Sequence, residues 1–137
     1  MAAPPVPISS LLVFAGGGFG AWLRYMVGRA SVHFMGANQW LPWGTLFCNI
    51  VGSLAMGLLV GWLVRHGGLA ALGGEGTRLL LGVGVLGGFT TFSSFSLEFA
   101  LFVERGALGM AALYVGVSLA AGFVGLFAGL MLMRSAA

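Results

Sequence analysis

The chain has 137 residues, of which 59% are hydrophobic and 7% charged, with six basic side chains against three acidic ones. Globular domains carry about 25% charged residues, so a soluble fold could not cover its surface with this set, and lipid has to replace the missing polar shell. The net charge of +3 comes from six scattered arginines without lysine, which gives no basic cluster of the kind that holds nucleic acid.

The length fits one domain over 1–137. The amino-terminal stretch MAAPPVPISS lacks the positive n-region of a secretory signal. The apolar run behind it continues past any cleavage site into Trp22 and Arg24, so it reads as a retained first span. A bilayer core of about 30 Å needs roughly 20 apolar helical residues, and four segments reach that length, at about 8–32, 43–64, 79–103 and 107–133. Pro42 precedes the second segment, the stretch from Arg65 to Arg78 reads as a Gly-rich loop, and Glu104, Arg105 and Gly106 make a tight turn before the fourth. The expected fold is all-α and integral to the membrane, with both termini on one side. Cys48 is the lone cysteine, inside an apolar run, and can form neither an internal disulfide nor a cysteine-rich metal site.

Excess Lys and Arg normally fixes orientation. Here Arg24, Arg29 and Arg105 fall on one face and Arg65, Arg78 and Arg134 on the other. That balance predicts insertion both ways up, unless a further feature such as the amino-terminal charge tips it, and oppositely inserted copies could meet about a two-fold axis in the membrane plane. Glycines recur in small-xxx-small pairs, Gly16/Gly20, Gly57/Gly61, Gly84/Gly88 and Gly125/Gly129. Such pairs let helices approach closely in lipid. They serve either an oligomer, which this much small-residue surface leads us to expect, or the packing of the monomer itself.

The third span reads GVGVLGGFTTFSSFSLEF from Gly82. Gly costs roughly 1 kcal/mol against Ala in a helix interior and β-branched Thr follows at once, so the helix is predicted to unwind within Gly87 to Thr91. Unwound backbone at membrane depth must be buried in protein or line a cavity, and its free carbonyls can hold a cation. Beyond the break Phe92, Phe95 and Phe99 recur at helical spacing, beside a strip of Thr91, Ser94 and Leu97. An aromatic stripe usually means packed core; the hydroxyls beside it need partners at that depth.

The strings GGFTTFSSFSLE, GGFGAWLRY in the first span and WGTLFCNIVGS in the second resemble the signature set of the Fluc/CrcB family of fluoride channels, and the resemblance covers almost the whole chain. It implies an antiparallel, dual-topology homodimer in a bacterial inner membrane that passes fluoride passively, relieves fluoride toxicity and holds a structural Na+ at its centre. The sodium ligands it implies are the backbone carbonyls of Gly87 and Thr90. Its pore phenylalanines correspond to Phe92 and Phe95, whose ring edges carry the positive part of the aromatic quadrupole. Asn49 matches a pore asparagine, although by itself such a residue is more often an interhelical tie. Thr91 and Ser94 match the hydroxyl track, and Tyr114 and Ser118, four residues apart in the fourth span, the remaining pore-lining pair. Arg24 matches a first-span arginine with an entry or structural role. Glu98 is expected either to pair with an arginine near its face or to stand in interfacial water. Phe89 departs from the family pattern, where a smaller aliphatic residue is frequent.

Two other classes are disfavoured. A proton-coupled exporter needs a carboxylate at membrane depth, and the early spans contain neither Asp nor Glu. An intramembrane hydrolase needs a nucleophile beside a base, whereas His33 and His66 fall at or beside loops on opposite faces. Enzymatic activity is therefore not expected.

Overall fold

The structure is a computed structural model that describes residues 5–66 and 74–135. Among these every regular element is helical, and four helical stretches are long and apolar enough to cross a membrane. Helix α1 is Val6–Met35, starting behind Pro5 with a proline in its first turn, where the missing N–H costs no helical bond. At 1.5 Å per residue it is about 45 Å long, enough to carry both ends past the hydrocarbon. Helix α2, Trp43–Arg65, follows Pro42. The third span, Gly74–Glu104, is two helices: α3 over 74–89 and α4, Phe92–Glu104. Helix α5 is Leu108–Ser135.

The connections use side chains where backbone partners run out. Between α1 and α2, Gly36 takes a positive φ of 81°, which only glycine adopts cheaply. Gln39 then ties the turn, accepting from Ser31 Oγ at 2.9 Å and donating to the Gly36 carbonyl at 3.0 Å. Gly106, with φ 71°, makes the turn between α4 and α5. The Gly-rich loop expected from Arg65 to Arg78 is shorter than that: His66 caps α2, residues 67–73 lie outside the described residues, and Gly74–Thr77 is already helical. Glu75 lies in that first turn, where carboxylates are favoured, and accepts two bonds from Arg78 at 2.8 and 3.0 Å.

Packing proceeds in two helix pairs, α1 along α3 and α2 along α5. Glycine sets both. A methyl group on Gly16 would strike the Leu80 carbonyl, one on Gly20 the Val85 carbonyl, and one on Gly88 the Gly17 carbonyl. In the other pair a methyl on Gly57 would meet the Leu126 carbonyl and one on Gly129 the Leu54 carbonyl. All four small-xxx-small pairs thus face helices of the same chain, and of the two uses open to them the packing of the monomer is the one observed. Close backbone approach is the available cement here, because burying Leu against Leu gains little when lipid is the alternative. The large apolar side chains accordingly point outward: Phe14 is 81% exposed and Val124 69%.

Residues Arg78–Leu86 of α3 form a π-helix. π-helical geometry is rare, usually a single turn, and concentrates near functional sites. Nothing in the hydrophobic pattern signalled it. It ends at Gly87, whose amide donates to the Gly82 and Gly84 carbonyls, one short helical turn before the break.

Candidate ion pathway

The helix break is narrower than expected and falls at the end of the predicted window. Gly87–Phe89 remain helical, and only Thr90 (φ −81°, ψ 158°) and Thr91 (φ −151°, ψ 124°) are extended. The sequence explains the restart: Thr91 is the N-cap of α4, and its hydroxyl accepts the Ser94 amide at 3.2 Å, which is what Thr does well at a helix start. Upstream, the Thr90 hydroxyl and amide both return to the Leu86 carbonyl, at 2.9 and 3.0 Å.

Asn49 holds the break from α2. Its Oδ1 accepts the Thr91 amide at 2.8 Å and its Nδ2 donates to the Thr91 carbonyl at 3.0 Å. From α1, Arg24 Nε donates to the Gly88 carbonyl at 3.1 Å. The consequence for the carbonyls is specific. In an unbroken helix Gly87 would receive the Thr91 amide and Thr90 the Ser94 amide, yet Asn49 has taken the first and the Thr91 hydroxyl the second. The two carbonyls singled out as cation ligands are thus both deprived of their helical partner. Oxygen donors of this kind suit a hard cation, so the residues present fit such an ion.

Around the break α4 separates two environments. Thr91, Ser94 and Glu98 line a wide cavity of about 770 Å³ opposite Arg24 and Arg29 of α1. Phe92 and Phe95 line a smaller cavity of about 210 Å³ with Asn49, Ser53, Ser118 and Gly122. The two rings lie 5.8 Å apart at 38°, and Phe95 continues onto Tyr114 at 5.1 Å. Phe92 is 78% exposed on the single chain.

Further contacts describe the surroundings of the other residues singled out. Among the described residues Glu98 pairs with no arginine: one oxygen accepts from Thr45 at 2.7 Å and the other from Tyr114 at 2.6 Å. Tyr114 and Ser118, one turn apart, have different surroundings. Tyr114 is fully buried with its hydroxyl committed to Glu98, whereas Ser118 lines the phenylalanine cavity, and its buried Oγ has no hydrogen-bond partner among the described residues. Asn49 is first an interhelical tie, although it also borders the ring cavity. Thr91 and Ser94 both line the wide cavity, and Thr91 also borders a third cavity together with Phe92. Phe89, the departure from pattern, is buried against Gly52 of α2.

Two side chains escaped the sequence reading, Thr45 and Ser53. A signal for them exists: Thr45, Asn49 and Ser53 stand four apart and share one face of α2.

Comparison with known proteins decides the family. A profile described as "CrcB-like protein, Camphor Resistance (CrcB)" matches residues 11–130. The chain belongs to the CrcB family. A relative from Novosphingobium aromaticivorans, named "Fluoride-specific ion channel FluC", is 56% identical over 129 residues, covering 94% of this chain and 98% of that protein. Relatives of the same name from Beijerinckia indica and Sphingopyxis alaskensis are 54% identical over 126 residues and 52% over 122. They cover 92% and 89% of this chain, and 96% and 92% of their own length. These names describe ion channels, and none describes an enzyme.

Proposed function

We propose that this chain is a fluoride channel of a bacterial inner membrane, which lets the anion leave the cell passively and so limits its toxicity. The observation that carries the reading is the Ser118 hydroxyl, buried without a partner beside Phe92, Phe95 and Asn49. A buried polar group left unpaired is costly, and a small anion accepting from it would remove that cost. Relatives named as fluoride channels over nearly their whole length support the same reading.

In this reading fluoride enters the wide cavity, drawn by Arg24 and Arg29, and passes the hydroxyls of Thr91 and Ser94 toward the rings. Ring edges offer a weak positive field without a full charge that would trap the ion. A narrow path of donors and edges replaces the hydration of a small, strongly hydrogen-bonding anion better than that of a larger halide. Glu98, held by Thr45 and Tyr114, borders the wide cavity and orders that wall. Acid outside favours entry of neutral HF, which dissociates inside, and the channel returns the trapped anion down its gradient.

The working unit in this proposal is an antiparallel homodimer of dual topology. The exposed face of Phe92 supports a second wall for the pore, and the even arginine split supports insertion both ways. A structural Na+ would be held by the Gly87 and Thr90 carbonyls of both chains, and its chemistry is cohesion: a fixed cation bridging two helix breaks.

The test is anion efflux from liposomes. Fluoride loss without chloride loss, weakened by Phe92→Ile and by replacing sodium with a large organic cation, is the expected result. Absence of fluoride flux overturns the channel. Flux that needs a proton gradient overturns passive movement in favour of an exporter, and flux indifferent to sodium removes the ion from the proposal.

A further inference from the structure

The polar face of α2 has three members at one-turn spacing, and two are explained. Thr45 donates to Glu98 and Asn49 grips Thr91. Ser53, the third, has no hydrogen-bond partner among the described residues. Serine hydroxyls at membrane depth ordinarily find a protein acceptor, so its position calls for an account.

That position is at a junction. Ser53 lines the phenylalanine cavity and also a neighbouring cavity of about 390 Å³ that reaches Thr90 and Thr91. Its Oγ points toward Gly122 of α5, where an added methyl would sit 3.6 Å away. Gly122 is one turn beyond Ser118, the residue with the buried, unpartnered hydroxyl. Unlike Gly57 and Gly129, which press against backbone of the opposite helix, Gly122 meets only this hydroxyl. Its missing side chain leaves Ser53 and Ser118 facing the same space from two helices.

We infer that Ser53 is a further anion-binding residue of the pathway, which donates its hydroxyl together with Ser118 to a small dehydrated anion beside the Phe92 and Phe95 rings. The inference rests on the channel reading and adds to it a residue that the family resemblance does not supply. Asn49 completes the set, since its Nδ2 carries two hydrogens and Thr91 accepts from one. Three neutral donors from α2 and α5 suit fluoride, which needs hydrogen bonds but must leave again, better than a cationic side chain would. The position of Ser53 between two cavities makes it the point where the anion passes from one donor set to the next.

The experiment measures fluoride efflux from liposomes for wild type, Ser53→Ala, Ser53→Thr and Ser53→Cys, each shown to elute as wild type before reconstitution. Loss of one hydrogen bond to an ion predicts about a tenfold drop for Ser53→Ala. Ser53→Thr, which keeps the hydroxyl, stays within about twofold, and Ser53→Cys, a poor donor of similar size, falls like alanine. Wild-type rates in Ser53→Ala, or in Ser53→Cys should the alanine variant not reconstitute, overturn the inference and leave the channel standing. A wild-type protein that passes no fluoride overturns both.

Discussion

Tyr114 and Ser118 stand one turn apart on α5 and both carry a hydroxyl, yet their surroundings differ. The tyrosine hydroxyl is bonded to Glu98 at 2.6 Å, while the serine hydroxyl is buried and unbonded among the described residues. A hydrogen bond to a carboxylate contributes about 1.5–3 kcal/mol, whereas an unsatisfied buried hydroxyl costs about 1–3. Tyr114→Phe should therefore lower the thermal midpoint in detergent and leave fluoride efflux within about threefold of wild type. Ser118→Ala should do the reverse, holding or raising the midpoint while cutting efflux about tenfold. Equal effects of the two substitutions on both measurements would count against the division. Spacing could place these residues on one face of a helix; only the position of Glu98 across the bundle separates them.

The same division between what a pattern carries and what it lacks recurs in whole elements. Four spans were legible because length and apolarity are local properties, and the break was legible because Gly87, Gly88, Thr90 and Thr91 crowd poor helix formers together. Its exact site was not, since Gly88 stays helical where Arg24 and Gly17 of α1 hold it, and Asn49 decides which amide leaves the helix. The π-helical stretch of α3 was likewise invisible, because that geometry follows from packing rather than from periodicity. The glycine pairs were visible as pairs, but not their partners. Packing now distinguishes them: Gly57 faces the Leu126 backbone, whereas a methyl on Gly17 meets nothing within 4 Å. Gly57→Ala should destabilise the folded chain by about 1–3 kcal/mol, the cost of overpacking. Gly17→Ala should be neutral or stabilising by up to about 1 kcal/mol through helix propensity. Unfolding in mixed micelles titrated with denaturing detergent compares them, and equal midpoints would show that the α2–α5 seam can yield.

At the scale of the whole molecule the unusual quantity is a balance. Three arginines lie toward the Glu104–Arg105 end and three toward the Arg65–Arg78 end, so no face commands retention on the cytoplasmic side. If the pore needs two chains in opposite orientation, biasing that balance should abolish function without touching any residue of the pathway. Replacing Arg105 by Gln and Ser135 by Arg leaves two arginines on one face against four on the other. The mirror bias comes from Arg65→Gln with Ala37→Arg. A terminal tag on either variant should be labelled from one side of the membrane only, and by opposite sides for the two. Each variant expressed alone should then give cells little protection from fluoride, and the pair expressed together should restore it, because only the mixture supplies both orientations. Full protection by one fixed variant would mean that parallel chains, or single ones, suffice; failure of the mixture despite opposite labelling would point instead to damage at the substituted sites.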